Sequence, residues 1–185
     1  MMSEQNVPPP RAARNALLGA ALDYVSRGWP VLPLWWLGED GQCACGTSCG
    51  KNAGKHPIGS LVPHGVQNAT HRPAVVRLWW RAAPNANIGI ATGAASGLAV
   101  LDVDPARGGD ASLAALEAEH GALPTTPSVQ TGGGGRHFYF TCPPAGLRSR
   151  KDFRPGLELK ADSAYVVAPP SVTTAPYVWE VPDAS

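Results

Sequence analysis

The sequence predicts an α+β domain in which a mixed, largely antiparallel sheet is packed by helices on one face. Short apolar runs separated by turn residues recur along the 185-residue chain, which contains 21 Gly and 19 Pro, and this spacing is typical of short strands. Only three segments have helical periodicity. A high strand content interrupted by three helices favours an α+β domain over a doubly wound parallel sheet. The length suits one domain with a substantial core.

The predicted elements are bounded by capping and turn residues. The first helix, residues 12–26, has apolar residues at helical spacing, and the second begins near Thr70 and is closed by Pro84. The third runs from Asp110, interpreted as its N-cap, to a stop at Gly121. The eight predicted strands are residues 29–37, 87–92, 98–104, 128–131, 136–141, 157–161, 165–168 and 177–180.

A single domain is predicted for residues 12–182, with a less regular segment at each end and one insertion. Residues 1–11 are rich in Pro and Ala and predict a disordered leader. Residues 38–57 are rich in Cys, Gly and Lys, have no periodicity, and are interpreted as an insertion in the domain. Residues 183–185 are interpreted as a tail or linker, which allows a further domain to follow.

Net charge and cysteine usage restrict the class of protein. The formal net charge is only +1, which argues against a histone-like protein that binds DNA through bulk charge and leaves room for a local basic groove. No apolar run approaches the roughly 20 residues of a membrane span, and the N-terminus has no apolar signal core. Four cysteines without an export signal indicate a reducing compartment. We therefore expect a cytoplasmic protein with no membrane partner.

Polar residues follow a two-residue alternation in three separate predicted strands. Asp102 and Asp104 are two apart, as are Glu158 and Lys160, and His137 alternates with phenylalanines. Successive side chains of a strand point to opposite faces, so each set lies on one side of its strand with Leu, Val or Phe on the other. The simplest packing buries the apolar face under helices and leaves the five polar side chains together on an open face.

Such a cluster has a definite chemistry. Three converging carboxylates repel one another unless a cation lies among them, and Mg²⁺ or Mn²⁺ is the natural choice for oxygen ligands. A His and a Lys beside the metal suit a triphosphate, in the two-metal arrangement of phosphoryl transfer. Each pattern alone has an ordinary interpretation, because Asp-x-Asp is common at solvated strand ends and a strand His is often a surface group. Agreement among the three strands favours the site.

Four consecutive glycines precede the strand that contains His137. Glycines let backbone N–H groups approach a phosphate closely, so Gly134, Gly135 and the following Arg136 are candidates for nucleotide binding. Strand alternation places Arg136 away from His137. The alternative is a flexible hairpin loop, and a Walker A loop is excluded because no Gly-Lys-Ser/Thr follows.

The insertion contains a candidate zinc site. Cys43, Cys45, Cys49 and His56 offer three thiols and an imidazole within one loop, which suits tetrahedral Zn²⁺ on a segment without an apolar core. A disordered loop with free thiols and a redox pair are the alternatives. A structural zinc would hold the lysines of this loop as a basic group near template or nucleotide, unless they are simply solvated.

Several of these motifs, in order, resemble those of the bifunctional DNA primase/polymerase family of the archaeo-eukaryotic primase superfamily. The similar segments are residues 87–93, 96–98, 101–104, 131–140 and 156–171, and the resemblance covers nearly the whole chain, from about Ala21 to Trp179. It implies the primase/polymerase fold of that superfamily. It also implies template-directed nucleotidyl transfer from dNTPs or NTPs on a DNA template or primer, in DNA replication.

The resemblance also implies residue roles. Asp102 and Asp104 match the metal-binding first motif, His137 matches the histidine that contacts the nucleotide phosphates, and Glu158 stands where the third motif usually has Asp. Lys160 stands where relatives often have Arg. The implied partners are DNA and a nucleotide, with a downstream helicase domain or replication partner as a further candidate.

Two other functions are compatible with the same residues. One is a catalytically inactive replication initiator, or zinc-anchored DNA-binding module, that keeps the fold without turnover. The other is a metal-dependent nuclease, which also uses clustered carboxylates but has less use for groups that bind a triphosphate.

Overall fold

The computed structural model describes residues 11–181, with side chains from Ala16 onward. The predicted leader, apart from Arg11, and the predicted tail lie outside these residues. Three α-helices lie in the described part, and their bounds are α1 (Arg11–Ser26), α2 (Pro73–Ala82) and α3 (Gly109–His120). They confirm the three predicted helices to within a few residues. None of the helices in this part of the chain is long and apolar enough to cross a membrane.

Nine strands within residues 11–181 complete the α+β architecture. They are β1 (Val31–Leu34), β2 (Asn87–Ala91), β3 (Leu98–Val103), β4 (Ser128–Gln130), β5 (Arg136–Thr141), β6 (Arg150–Arg154), β7 (Leu157–Lys160), β8 (Tyr165–Ala168) and β9 (Val178–Val181). All eight predicted strands are present, although β1 is shorter than expected. The ninth, β6, was not predicted because its Arg-Lys-Asp-Phe-Arg sequence has a single apolar residue and so no alternation.

The strands form two sheets, which corrects the expectation of one mixed sheet. A three-stranded sheet has the order β1-β2-β8, and a six-stranded sheet has the order β6-β7-β3-β5-β4-β9. Every pair of named strands in both sheets is antiparallel. Helices α1 and α2 contact the small sheet, and α3 contacts β3 and β7 of the large one. Helix α3 begins at Gly109, so its N-cap is Gly108 and not Asp110 as predicted. Gly108 lies in the left-handed region, with φ 85°.

Both faces of the large sheet are covered near its centre. Leu101 and Val103 of β3 pack with Leu113 of α3 in one cluster. Val100 and Tyr139, which alternate with them, belong to the main core together with residues of α1, α2 and the small sheet. The face that carries the predicted polar residues is therefore not open along its length, as the alternation pattern had suggested. The polar residues lie where this covered face reaches the ends of β3, β5 and β7.

Candidate active site

Three of the predicted site residues form one row across three neighbouring strands. In the register of β3 with β5, Asp102 lies opposite His137, and in the register of β3 with β7, Asp102 lies opposite Glu158. Directly opposite residues of an antiparallel pair have Cα atoms about 4.5–5.5 Å apart and side chains on the same face. The structure thus brings one imidazole and two carboxylates, from segments distant in sequence, side by side.

His137 is the most deeply buried member of the row. Only 5% of the residue is exposed, and Nε2 lies 3.7 Å from Oδ1 of Asp102. Burial lowers the pKa of His137, the Asp102 carboxylate opposes this, and the ammonium groups of Lys160 and Lys55 lower the pKa further. The ring is therefore neutral near pH 7. Its Nδ1 atom is buried and has no hydrogen-bond partner among the described residues, which leaves a polar atom available to a ligand.

Glu158 is held by two cations. Its carboxylate accepts a hydrogen bond from Nζ of Lys160, and Oε1 lies 3.7 Å from Nη1 of Arg107. Its side chain is 15% exposed, so these contacts neutralise a largely buried charge. Arg107 was not predicted from the sequence. It reaches this position because a short 3₁₀ turn, Pro105–Arg107, directly follows Asp104 and folds the chain back toward the site.

Asp104 lies one residue beyond β3 and has a local structural role. Its Oδ1 accepts a hydrogen bond of 3.1 Å from the N–H of Ala106 and so caps the 3₁₀ turn. Its N–H donates to the carbonyl of Gly156, and its own carbonyl accepts from the N–H of Gly109. A Cβ atom at either glycine would lie within 3 Å of that Asp104 carbonyl oxygen. Both glycines are thus needed for the chain to close around this end of the row.

The three predicted carboxylates do not converge on one point in the structure. Among residues 11–181, one group alone has three or more metal-ligand atoms within 4.8 Å of one another, and it is in the insertion. Each site carboxylate instead has its own neighbour: His137 for Asp102, the Ala106 N–H for Asp104 and the Lys160 ammonium for Glu158. Oxygen donors are nevertheless the ligand type that Mg²⁺ and Mn²⁺ prefer.

The glycine run forms a hydrogen-bonded turn between β4 and β5. The N–H of Gly134 donates to the carbonyl of Thr131, and the N–H of Gly135 donates to its Oγ1 over 3.0 Å. These two N–H groups are therefore occupied inside the turn and are not directed at a ligand. Gly134 has φ 81°, which favours glycine there for backbone reasons.

Arg136 lies on the reverse face of β5, away from His137. Its guanidinium binds Asp110 of α3 at 3.0 Å and lies over the ring of Phe138, 5.3 Å from the ring centroid. The structure therefore does not bring Arg136 into the row, in agreement with strand alternation and against its inclusion among the nucleotide-binding residues.

The predicted zinc ligands come together in the insertion. Nε2 of His56 lies 3.4 Å from Sγ of Cys43 and 3.3 Å from Sγ of Cys49, and Sγ of Cys45 lies 3.2 Å from Sγ of Cys49. A tetrahedral zinc ion with bonds of about 2.0–2.3 Å separates its ligand atoms by roughly 3.5–3.8 Å. The observed spacing is close to that value, and the donor set suits zinc. This group can hold the ion.

The insertion is fixed to the small sheet through its last residues. The buried side-chain amide of Asn87 donates to the carbonyl of Gly54 at 2.9 Å. The hydroxyl of Tyr165 donates to the carbonyl of Lys55 at 3.0 Å. The carbonyl of His56 accepts from the N–H of Trp35. These bonds hold Lys55, whose charge acts on His137, next to the candidate zinc ligand His56.

A known protein family matches most of this chain. The sequence model of the bifunctional DNA primase/polymerase family, N-terminal domain, matches residues 21–184, well over half of the chain. No curated protein sequence matches the chain. A function of the DNA primase/polymerase type, with DNA and nucleotides as substrates, is what the family suggests. The chain belongs to the bifunctional DNA primase/polymerase family.

Proposed function

We propose that this chain is the catalytic domain of a DNA primase/polymerase that joins nucleoside triphosphates on a DNA template. The observation that supports it most is the row of His137, Asp102 and Glu158 across β5, β3 and β7. In a member of this family, such a row combines carboxylates for metal ions with an imidazole for phosphate. Its partners are a template or primer strand and a dNTP or NTP.

In this proposal the carboxylates of Asp102, Asp104 and Glu158 hold two Mg²⁺ or Mn²⁺ ions. Ions held there would supply positive charge to neutralise the developing charge and to activate the attacking 3′-hydroxyl. Lys160 and Arg107 now neutralise Glu158, and an incoming triphosphate offers them a stronger anionic partner. Exchange of these cations from Glu158 to the phosphates frees the carboxylate.

His137 binds the triphosphate in this proposal, together with Lys160 and Lys55. The imidazole is neutral because of burial, and a neutral ring has one N–H group to donate to a phosphate oxygen. Its position at the buried end of the row keeps water from competing for that bond. Lys55 adds a positive charge from the insertion. A zinc ion bound by Cys43, Cys45, Cys49 and His56 would be structural, since four protein ligands complete its coordination.

The experiment that tests the proposal is nucleotide incorporation on primed and unprimed single-stranded DNA with Mg²⁺ or Mn²⁺. Wild-type protein should incorporate nucleotides, and Asp102→Asn should abolish incorporation while leaving the melting temperature nearly unchanged. Asp110→Asn is the matched control, because Asp110 is an exposed carboxylate on the opposite face of the large sheet. Full activity of the Asp102 variant would remove this residue from the site.

One observation favours an alternative, the catalytically inactive DNA-binding module. Glu158 is already neutralised by Lys160 and Arg107, and such a pairing competes with metal binding. This alternative predicts zinc and DNA binding without incorporation on any template. The same incorporation assay therefore separates the two functions.

A further inference from the structure

One edge of the large sheet carries a dense run of positive charge. Residues 148–154 contain four cations and one carboxylate, a net charge of +3, although the whole chain has a net charge of only +1. The remainder of the chain is therefore slightly negative. Most of this segment is strand β6, which is the edge strand next to β7. We call Arg148, Arg150 and Lys151 the basic edge.

The local backbone turns the basic edge toward solvent. Between Arg150 and Arg154 the pairing of β6 with β7 shifts register, and Asp152 has φ 45° at this irregularity. At this irregularity, Phe153 packs against the α3 cluster. Asp152 pairs with Arg107. The cations on either side are left exposed.

The three cations of the basic edge have no carboxylate of their own. Within residues 11–181, none of them forms an ion pair, and Arg150 lies 5.7 Å from the ring centroid of Phe153 instead. Arg154, at the end of the strand, differs because it is paired with Glu119. Three exposed and unpaired charges in four residues form a local region of positive potential that favours a polyanion.

Edge cations also have a structural interpretation, which the opposite edge of the sheet argues against. Lysines and other charges on edge strands prevent edge-to-edge aggregation. The other edge strand, β9, has exposed Val178 and Val181, and Glu180 is its only charged residue. This sheet therefore does not protect its edges with cations as a rule.

The basic edge lies at a suitable distance from the catalytic row. Strand β7, which carries Glu158, is its direct neighbour, and β3, which carries Asp102, is the next strand. At about 4.8 Å per strand, β6 and β3 are about 10 Å apart. In the register of β6 with β7, Arg150 lies opposite Leu159 and therefore on the α3 face, the reverse of the face that carries the row. A strand of DNA held by its phosphates at the basic edge would therefore cross this edge of the sheet to reach the row.

We propose that Arg148, Arg150 and Lys151 form the surface that binds the phosphate backbone of the single-stranded DNA template. This inference rests on the proposed function, because it names the surface by which that site receives its template. Contacts of this kind are independent of base sequence and sensitive to salt. The basic edge thus supplies a local region of positive charge on a chain whose net charge is only +1.

The test measures binding of a fluorescent oligothymidylate by anisotropy, without nucleotide or divalent metal, over salt concentrations from roughly 50 to 200 mM. For Arg148→Ala/Arg150→Ala/Lys151→Ala, the slope of log K against log salt should become shallower by about 2, at about 0.7 per lost phosphate contact on a single strand. Affinity near 0.1 M salt should fall about tenfold or more. The control is Arg72→Ala/Arg77→Ala/Arg81→Ala, which removes the same charge from exposed residues at helix α2.

The outcomes separate this inference from the alternatives. An unchanged slope in the edge variant, or an equal change in the α2 control, would overturn it. Self-association of the edge variant in sedimentation, with DNA binding unchanged, would also overturn it and support the protective role. Arg148→Lys/Arg150→Lys keeps the charges and should keep the slope. Because the assay needs no turnover, an inactive wild-type enzyme contradicts the proposed function and leaves this measurement intact.

Discussion

Substitution of Gly132 tests whether the glycine run is a packed turn or a phosphate-binding loop. A Cβ atom built at Gly132 would lie 2.3 Å from the carbonyl oxygen of Ala175 and 2.4 Å from Oγ1 of Thr173. A comfortable carbon–oxygen contact is about 3.3 Å or longer, so the backbone would have to shift by roughly 1 Å. Overpacking of this kind costs about 1–3 kcal/mol. Gly133, the next residue, has nothing within 4 Å of a built Cβ, and its φ is outside the left-handed region.

The two alanine variants should therefore shift stability in opposite directions. Gly133→Ala should stabilise the protein by about 0.4–1 kcal/mol, because it restricts only the unfolded chain. Gly132→Ala should lower the melting temperature by about 2–12 °C, at about 2–4 °C per kcal/mol for a chain of this size. Circular dichroism during heating measures both. Equal melting temperatures for the two variants would refute the packing argument.

Nucleotide binding by the same variants gives an independent readout. If the turn is structural, Gly133→Ala should bind a triphosphate like the wild type, whereas Gly132→Ala should bind it more weakly through displacement of Tyr177, whose ring lies beside that of His137. If the glycines contact phosphate directly, the solvent-facing Gly133 variant should be the impaired one. Isothermal titration with a dNTP and Mn²⁺ distinguishes the two patterns.

Three further predictions concern the row and the insertion. Lys55→Ala should raise KM for the nucleotide with little change in kcat, because the charge of Lys55 contributes to lowering the pKa of His137 and an ammonium can pair with a phosphate, a loss of about 1.4 kcal/mol or about tenfold. The exposed Lys51→Ala should not raise KM; equal KM values for both variants would place Lys55 outside the site. Cys49→Ser should lower the melting temperature and reduce bound zinc measured by atomic absorption, while Cys142→Ser should leave the zinc content unchanged. If a chelator has no effect on the melting temperature of the wild type, that result would contradict a structural zinc. His137→Ala should weaken triphosphate binding about ten- to a hundredfold, because a hydrogen bond to a charged group contributes about 1.5–3 kcal/mol. Binding of the unphosphorylated nucleoside should be unchanged; an equal loss for both ligands would indicate general disruption.

Alternation and spacing predicted which side chains share a face of their strand, but not how the strands that carry them are arranged. The two-residue period puts Asp102 and Glu158 on definite faces of their strands, and ligand type and loop context predicted the thiol cluster. The pairing of Asp102 with both His137 and Glu158 depends on strand order and register, which local patterns do not contain. The sequence therefore predicted which side chains share a face of their own strand. The structure shows which of these strands lie next to each other.

The features that were missed depend on long-range packing. Strand β6 has no apolar alternation because only Phe153 faces a core, and its neighbour β7 supplies the hydrogen bonds that define it. Arg107 reaches Glu158 through a turn whose direction Asp104 fixes by capping. Val100 and Tyr139 share the main core with residues of the small sheet, which leaves less of the polar face open than alternation alone suggests.

The side chain of Asn87 joins three parts of the chain that are far apart in sequence. Its amide nitrogen donates to the carbonyls of Gly54 and Val172, and its Oδ1 accepts from the N–H of Val172. Since Gly54 is anchored in this way, the chain between Leu37 and Gly54 can change in length or composition without displacing the residues that follow. Variation among proteins of this kind is therefore expected to accumulate in that stretch, around invariant thiols, while Asn87 and the Gly54–His56 segment keep their spacing.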